Sequence, residues 1–124
     1  MPVLVPPPAP THELQGARFT SLATPSRGST DTSVWQVEID PGGLATQHTV
    51  TREEVFVVLD GTAFVRLGGA EHLAGPGAAI VVPSGVPFAL AAAGDAPLRA
   101  LCVLPVGGQA QLPGGDPFTP PWAQ

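Results

Sequence analysis

Lysine is absent from the chain, and charge of either sign is scarce. Of 124 residues only 12% are charged, and the net charge of −5 leaves an acidic molecule. The five basic residues, Arg18, Arg27, Arg52, Arg66 and Arg99, are scattered and form no patch. That distribution excludes the electrostatic footprint of a nucleic-acid partner and gives no grip on an anionic membrane. Cysteine occurs once, as Cys102, so no internal disulfide can form and a reducing compartment is expected. No apolar run approaches the roughly 20 residues needed to span a bilayer. The opening Met1-Pro-Val-Leu-Val-Pro-Pro-Pro lacks a basic region, and prolines break its apolar stretch, so it does not read as a signal peptide. A cytoplasmic location follows as the expectation.

Long helices are excluded too, because 16 prolines and 15 glycines punctuate the chain throughout. Short β-rich runs between turns take their place. Ser33–Ile39 alternates, with Trp35, Val37 and Ile39 on one face and Gln36 and Glu38 on the other. Further strands are predicted over 14–22, 44–50, 54–59, 62–67, 71–74, 79–82, 86–93 and 98–104. Asp60-Gly61, Gly68-Gly69, Gly75-Pro76-Gly77 and Pro83-Ser84-Gly85 supply the turns between the later ones. An all-β barrel or sandwich is the expected class. Residues 1–11 read as a flexible proline-rich arm, 12–104 as the barrel, and 105–124 as an extended tail anchored on it by Phe118 and Trp122. A chain this short buries only about two thirds of its unfolded surface. With 44% hydrophobic residues, that favours burial against a second copy, and a homodimer is expected.

Two stretches carry the chemistry. His48 follows Gly42 by six positions, Glu54 follows His48 by six, and Gly61 follows Glu54 by seven. Downstream, Pro83 stands six positions after Gly77 and Gly85 two beyond that. This pattern resembles the two motifs of the cupin superfamily, and the short segment between them is like that of small bacterial cupins. The resemblance implies a single-domain, jelly-roll-like β-barrel in which His48 and Glu54 look into the interior. Alternation agrees: His48 and Val50 share a face, as do Glu54, Phe56 and Val58. A hairpin of the two strands is expected to bring His48 and Glu54 together.

Metal-binding cupins usually offer three histidines and the glutamate. Here the second histidine position of the first motif is Val50, and the histidine position of the second is Phe88. The asparagine position of that motif is Ala92. His48 and Glu54 are the residual metal-ligand positions, and two protein ligands rarely hold a transition metal tightly. No cofactor is therefore predicted, beyond weak divalent-metal binding. His72 and His12 read as a surface and an arm residue. Cys102 falls on the inward side of its strand, where a small buried apolar role outweighs that of a ligand.

The same substitutions turn a ligand cage into an apolar wall. Trp35, Val37, Val50, Phe56, Phe88, Leu90 and Cys102 would line a small-molecule pocket, with Glu54 and His48 as its polar, candidate catalytic groups. The other reading of these residues is a lumen filled by its own side chains. Three functions follow. One is a metal-independent isomerase, cyclase or lyase moving protons on a small apolar molecule in the lumen. The others are a metal-dependent enzyme with a reduced ligand set, and a non-catalytic ligand-binding or sensing domain.

Overall fold

In the computed structural model, residues 3–43 and 45–124 are described, and they form eleven strands. A hairpin of β1 (His12–Leu14) and β2 (Ala17–Ala23) leads into β3 (Thr32–Ile39). After β4 (Thr49–Val50) come β5 (Glu54–Asp60), β6 (Ala63–Leu67), β7 (Ala70–Ala74) and β8 (Ala79–Val82). The chain continues through β9 (Phe88–Ala92) and β10 (Leu98–Pro105) to β11 (Ala110–Gln111). The long sheet has the order β1-β2-β3-β10-β5-β8, and β7-β6-β9 makes a second one. Buried residues of both sheets share one core, among them Trp35, Phe56 and Cys102 from the first and Val65 and Phe88 from the second. The class is all-β and single-domain, as the sequence pattern predicts.

Strict alternation produces this arrangement. Along β10, Leu98, Ala100, Cys102 and Leu104 are buried while Arg99, Leu101 and Val103 lie on the outer face. Along β5 the buried set is Glu54, Phe56 and Val58. Antiparallel register places Cys102 between Trp35 on β3 and Phe56 on β5, so three strands contribute to one interior layer. At the end of β5 the turn is fixed by Gly61. Its φ is +76°, and a Cβ there would collide with the Pro97 carbonyl oxygen.

Three sequence expectations need correction. The strand expected over 14–22 is a hairpin, because Gly16 at φ +78° turns the chain between β1 and β2. The strand expected over 44–50 is mostly not a strand. Leu44 lies outside the described residues, and beyond it only Thr49–Val50 joins a ladder, with His48 bridging Phe88. The tail contains strand β11, which pairs with β4.

Trp122 stacks on Phe19 with ring centroids 3.6 Å apart and planes 8° from parallel. Ser21 Oγ donates to the Trp122 carbonyl at 2.7 Å, and Ser33 Oγ to that of Ala123 at 2.8 Å. Phe118 is 41% exposed, so the second aromatic anchor expected in this tail is not a buried one. At the other end Met1 and Pro2 lie outside the described residues. Arg27 donates to the Val5 carbonyl at 2.6 Å, and Thr11 bonds the Phe19 carbonyl through its backbone N–H at 2.8 Å. Among the described residues no helix is long and apolar enough to cross a membrane.

Candidate functional site

Glu54 opens β5 opposite Val82 of β8, with its side chain on the interior face. It is 5% exposed, and no described residue donates a hydrogen bond to its carboxyl group. Among the described residues no fully occluded side-chain oxygen or nitrogen lacks a partner, so the carboxyl oxygens are not wholly shut off from the surface. Withdrawal from water disfavours the charged form, and burial pushes this carboxyl up to about 8 from its ordinary 4.5. A carboxylic acid poised near neutrality can give or take a proton at physiological pH.

Cys102 lies deeper, at 0% exposure. Burial first, and the negative charge of Glu54 second, push its thiol well above the usual range. It stays a protonated, small apolar residue of the wall and is no nucleophile. Trp35, Val37, Val50, Phe56 and Phe88 are buried in the same core, with Leu90 half-buried against it. Those expected pocket residues do converge, but at the level of Phe88 (1% exposed) and Cys102 the wall is dry and packed.

His48 is placed differently from the expectation. It does not pair with Glu54: β4 takes β11 as its ladder partner, β5 takes β8 and β10, and no ion pair joins the two residues. Strands adjacent in sequence need not be adjacent in a sheet, and here the connection at 51–53 carries the chain from one layer to another. His48 instead bridges Phe88, with N–H···O bonds of 3.0 and 2.9 Å in the two directions. Its ring lies 4.3 Å, centroid to centroid, from that of Phe88, which in turn lies 5.9 Å from Phe56. Nδ1 of His48 donates to the Thr46 carbonyl at 2.9 Å, leaving Nε2 as the acceptor of the neutral ring.

On the outer side of that ring pair runs a groove of about 330 Å³, lined by Gln47, His48, Pro87, Gln111, Leu112 and Pro113 among others. The sequence pattern had not singled out its tail side, residues 111–114. Their position depends on β11 pairing with β4, and a two-residue strand leaves no periodic signal. His72 is exposed on β7, and His12 packs edge-on to Trp122 at 6.4 Å.

The donor set does not fit a tightly held metal. Val50 and Phe88 occupy two of the four ligand positions expected from the resemblance, and no three of His, Cys, Asp or Glu come together among the described residues.

Comparison with known proteins agrees with this architecture. A family model described as a cupin domain matches residues 35–104. No curated protein matches the chain. The polyketide cyclase RemF from Streptomyces resistomycificus is similar, with 22% identity and a TM-score of 0.73 over 88% of this chain and 79% of that one. A cupin-like protein from Thermotoga maritima is similar at 24% identity and a TM-score of 0.71, over 80% of this chain and 77% of that one. Salicylate 1,2-dioxygenase from Pseudoaminobacter salicylatoxidans follows at 19% identity and a TM-score of 0.69, over 86% of this chain and 31% of that one. At such identities the likeness is one of fold. The match at 35–104 spans both motif stretches and more than half of the chain, which therefore belongs to the cupin family.

Proposed function

We propose that the chain is a small-molecule-binding cupin in which Glu54 moves a proton on a small apolar substrate without a metal, as in an isomerase, cyclase or lyase. The supporting observation is a single buried carboxyl that has no hydrogen-bond donor among the described residues, keeps a solvent-accessible edge and is held near neutrality. A purely structural carboxylate would be expected to accept bonds from its surroundings, since leaving it unpaired is costly. A group that substrate completes has reason to be left open. The fold likeness to a polyketide cyclase is in keeping with the cyclase branch.

His48 has a revised role in this proposal. No hydrogen bond or ion pair joins it to Glu54, and in place of a direct acid/base pair it acts at the mouth, as a hydrogen-bonding group for the polar end of the substrate. A second reading, a non-catalytic binding domain, is favoured by the dry wall at Phe88 and Cys102.

Proton transfer can be tested without knowing the natural substrate. The carbonyl compound 2-tetralone, incubated with the protein in D2O, should exchange its α-protons faster than in buffer, as followed by proton NMR. Substituting Glu54→Gln should lower that exchange by about a hundredfold. Undiminished exchange in a folded Glu54→Gln variant, or none with the native chain, would move the assignment to the binding domain.

A further inference from the structure

We propose that the groove beside His48 is a binding site for a neutral, hydroxyl-bearing aromatic molecule of one or two rings. It goes beyond the proposed function, since Glu54 is not among the residues that line the groove.

No charged side chain lines the groove, whose walls come from Pro87, Leu112 and Pro113 together with polar but uncharged groups. An anion would enter a net acidic protein without a cationic partner, and a cation would find no carboxylate there. What the groove offers is hydrogen bonding. With Nδ1 of His48 committed to the Thr46 carbonyl, Nε2 is the ring nitrogen left for a donor. Gln111 is similarly divided: its Nε2 donates to the Gly115 carbonyl at 2.8 Å, which leaves Oε1 as a free acceptor. These two acceptors suit a ligand that donates, Gln47 and Thr49 on the same lining can give or take a bond, and an uncharged O–H, which does both, matches a charge-free lining.

The apolar surfaces specify the rest of the ligand. Pro87 and Pro113 give flat faces, beside the ring of His48, which is backed by that of Phe88. Flat surfaces of this kind favour a planar ring over a branched aliphatic chain. The volume, about 330 Å³, is at the small end of ligand pockets and suits one or two rings. Both halves of the site are held in place. The floor is fixed by the reciprocal His48–Phe88 backbone bonds, and the far wall by the β11–β4 ladder, Gln111 opposite Thr49. Residues 111–114 lie beyond the matched family region, 35–104.

The test uses the full chain and 2-naphthol at neutral pH, with naphthalene and 2-naphthoate as companions, followed by the side-chain 15N signals of His48. Saturable 2-naphthol binding that shifts the Nε2 resonance is the expected result. Naphthalene should bind about fivefold more weakly for want of one hydrogen bond, and 2-naphthoate more weakly still. Leu112→Asp, at an exposed position, should weaken 2-naphthol binding with the fold intact. No saturable shift, 2-naphthoate binding as tightly as 2-naphthol, or unaltered binding in Leu112→Asp would each overturn the proposal. Binding is read without turnover. Failure of the 2-tetralone exchange therefore leaves this site standing, and failure here leaves Glu54 chemistry standing.

Discussion

His48 and Phe88 exchange both backbone hydrogen bonds and set their rings 4.3 Å apart, so the residue at the mouth leans on the residue that seals the interior. Phe88 also faces Phe56, the interior neighbour of Glu54 on β5. One ring thus links the outer groove to the buried carboxyl's surroundings. With its backbone pinned, only rotation of its side chain can change that seal.

Phe88→Ala should separate packing from access. Removing a fully buried phenylalanine side chain costs about 3–5 kcal/mol, read as a lower urea midpoint at constant slope. The cavity should admit xenon, with a rise in the 129Xe NMR shift that the native chain does not give. A folded variant without that rise would show that the interior closes over the lost ring.

Stability should fall as pH rises from about 5 to 8.5, opposite to the common acid-loss pattern. Glu54 is raised from 4.5 to about 8, so in this window the unfolded chain has released a proton that the folded chain keeps. The contribution is complete below the lower value and lost as pH passes through the upper one, on the order of 3–5 kcal/mol in total. In Glu54→Gln the slope should flatten, as measured by denaturant unfolding at fixed pH values. A native profile as flat as the variant's would contradict the raised carboxyl.

Dialysis against a chelator should leave the native chain without stoichiometric zinc, cobalt or manganese, because His48 and Glu54 are two donors where three or four are needed. Substituting Val50→His together with Phe88→His should restore a four-donor set and retain about one zinc per chain after the same treatment. Elemental analysis of both proteins decides the matter. A native chain that retains one metal would overturn the reading of Val50 and Phe88.

The outer face of the long sheet carries two rows with little charge. In one, Val34, Val103, Val55 and Val81 sit in register across β3, β10, β5 and β8; in the other, Leu101, Val57 and Ala79 follow Gln36. A dimer joined through this face is the expected state, seen as twice the chain mass by light scattering at micromolar concentration. Val103→Lys, near the centre of the first row, should halve that mass. A monomeric native chain would refute it.

Much of this fold was legible because alternation is strict where a strand has one wet and one dry face. Ser33–Ile39 carries that signature and Arg99 marks the outer side of Leu98–Leu104, so the interior positions of Trp35 and Cys102 follow, whereas Ala79–Val82 reads only as an apolar run between turns. The hairpin at Gly16 was not legible, since Leu14–Leu22 reads as continuous and only the positive φ at Gly16 divides it. The hairpin expected to join His48 and Glu54 is absent among the described residues for a different reason. Alternation says which way a side chain points but not which strand lies beside it, and β5 draws its neighbours from β8 and β10. The groove was invisible because half of it comes from residues 111–114, brought to His48 by a two-residue ladder.

That ladder has a consequence for the order of assembly. Among the described residues β4 takes β11 as its ladder partner, so the tail side of the groove waits for a segment roughly sixty positions downstream. During synthesis the interior layer of Trp35, Phe56 and Cys102 can close once β10 emerges, with His48 already held on Phe88, while the wall at residues 111–114 is still missing. The mouth is thus the late-maturing part of the molecule. It is also where altering a few residues of the 111–114 loop could retune what enters without disturbing the interior beneath it.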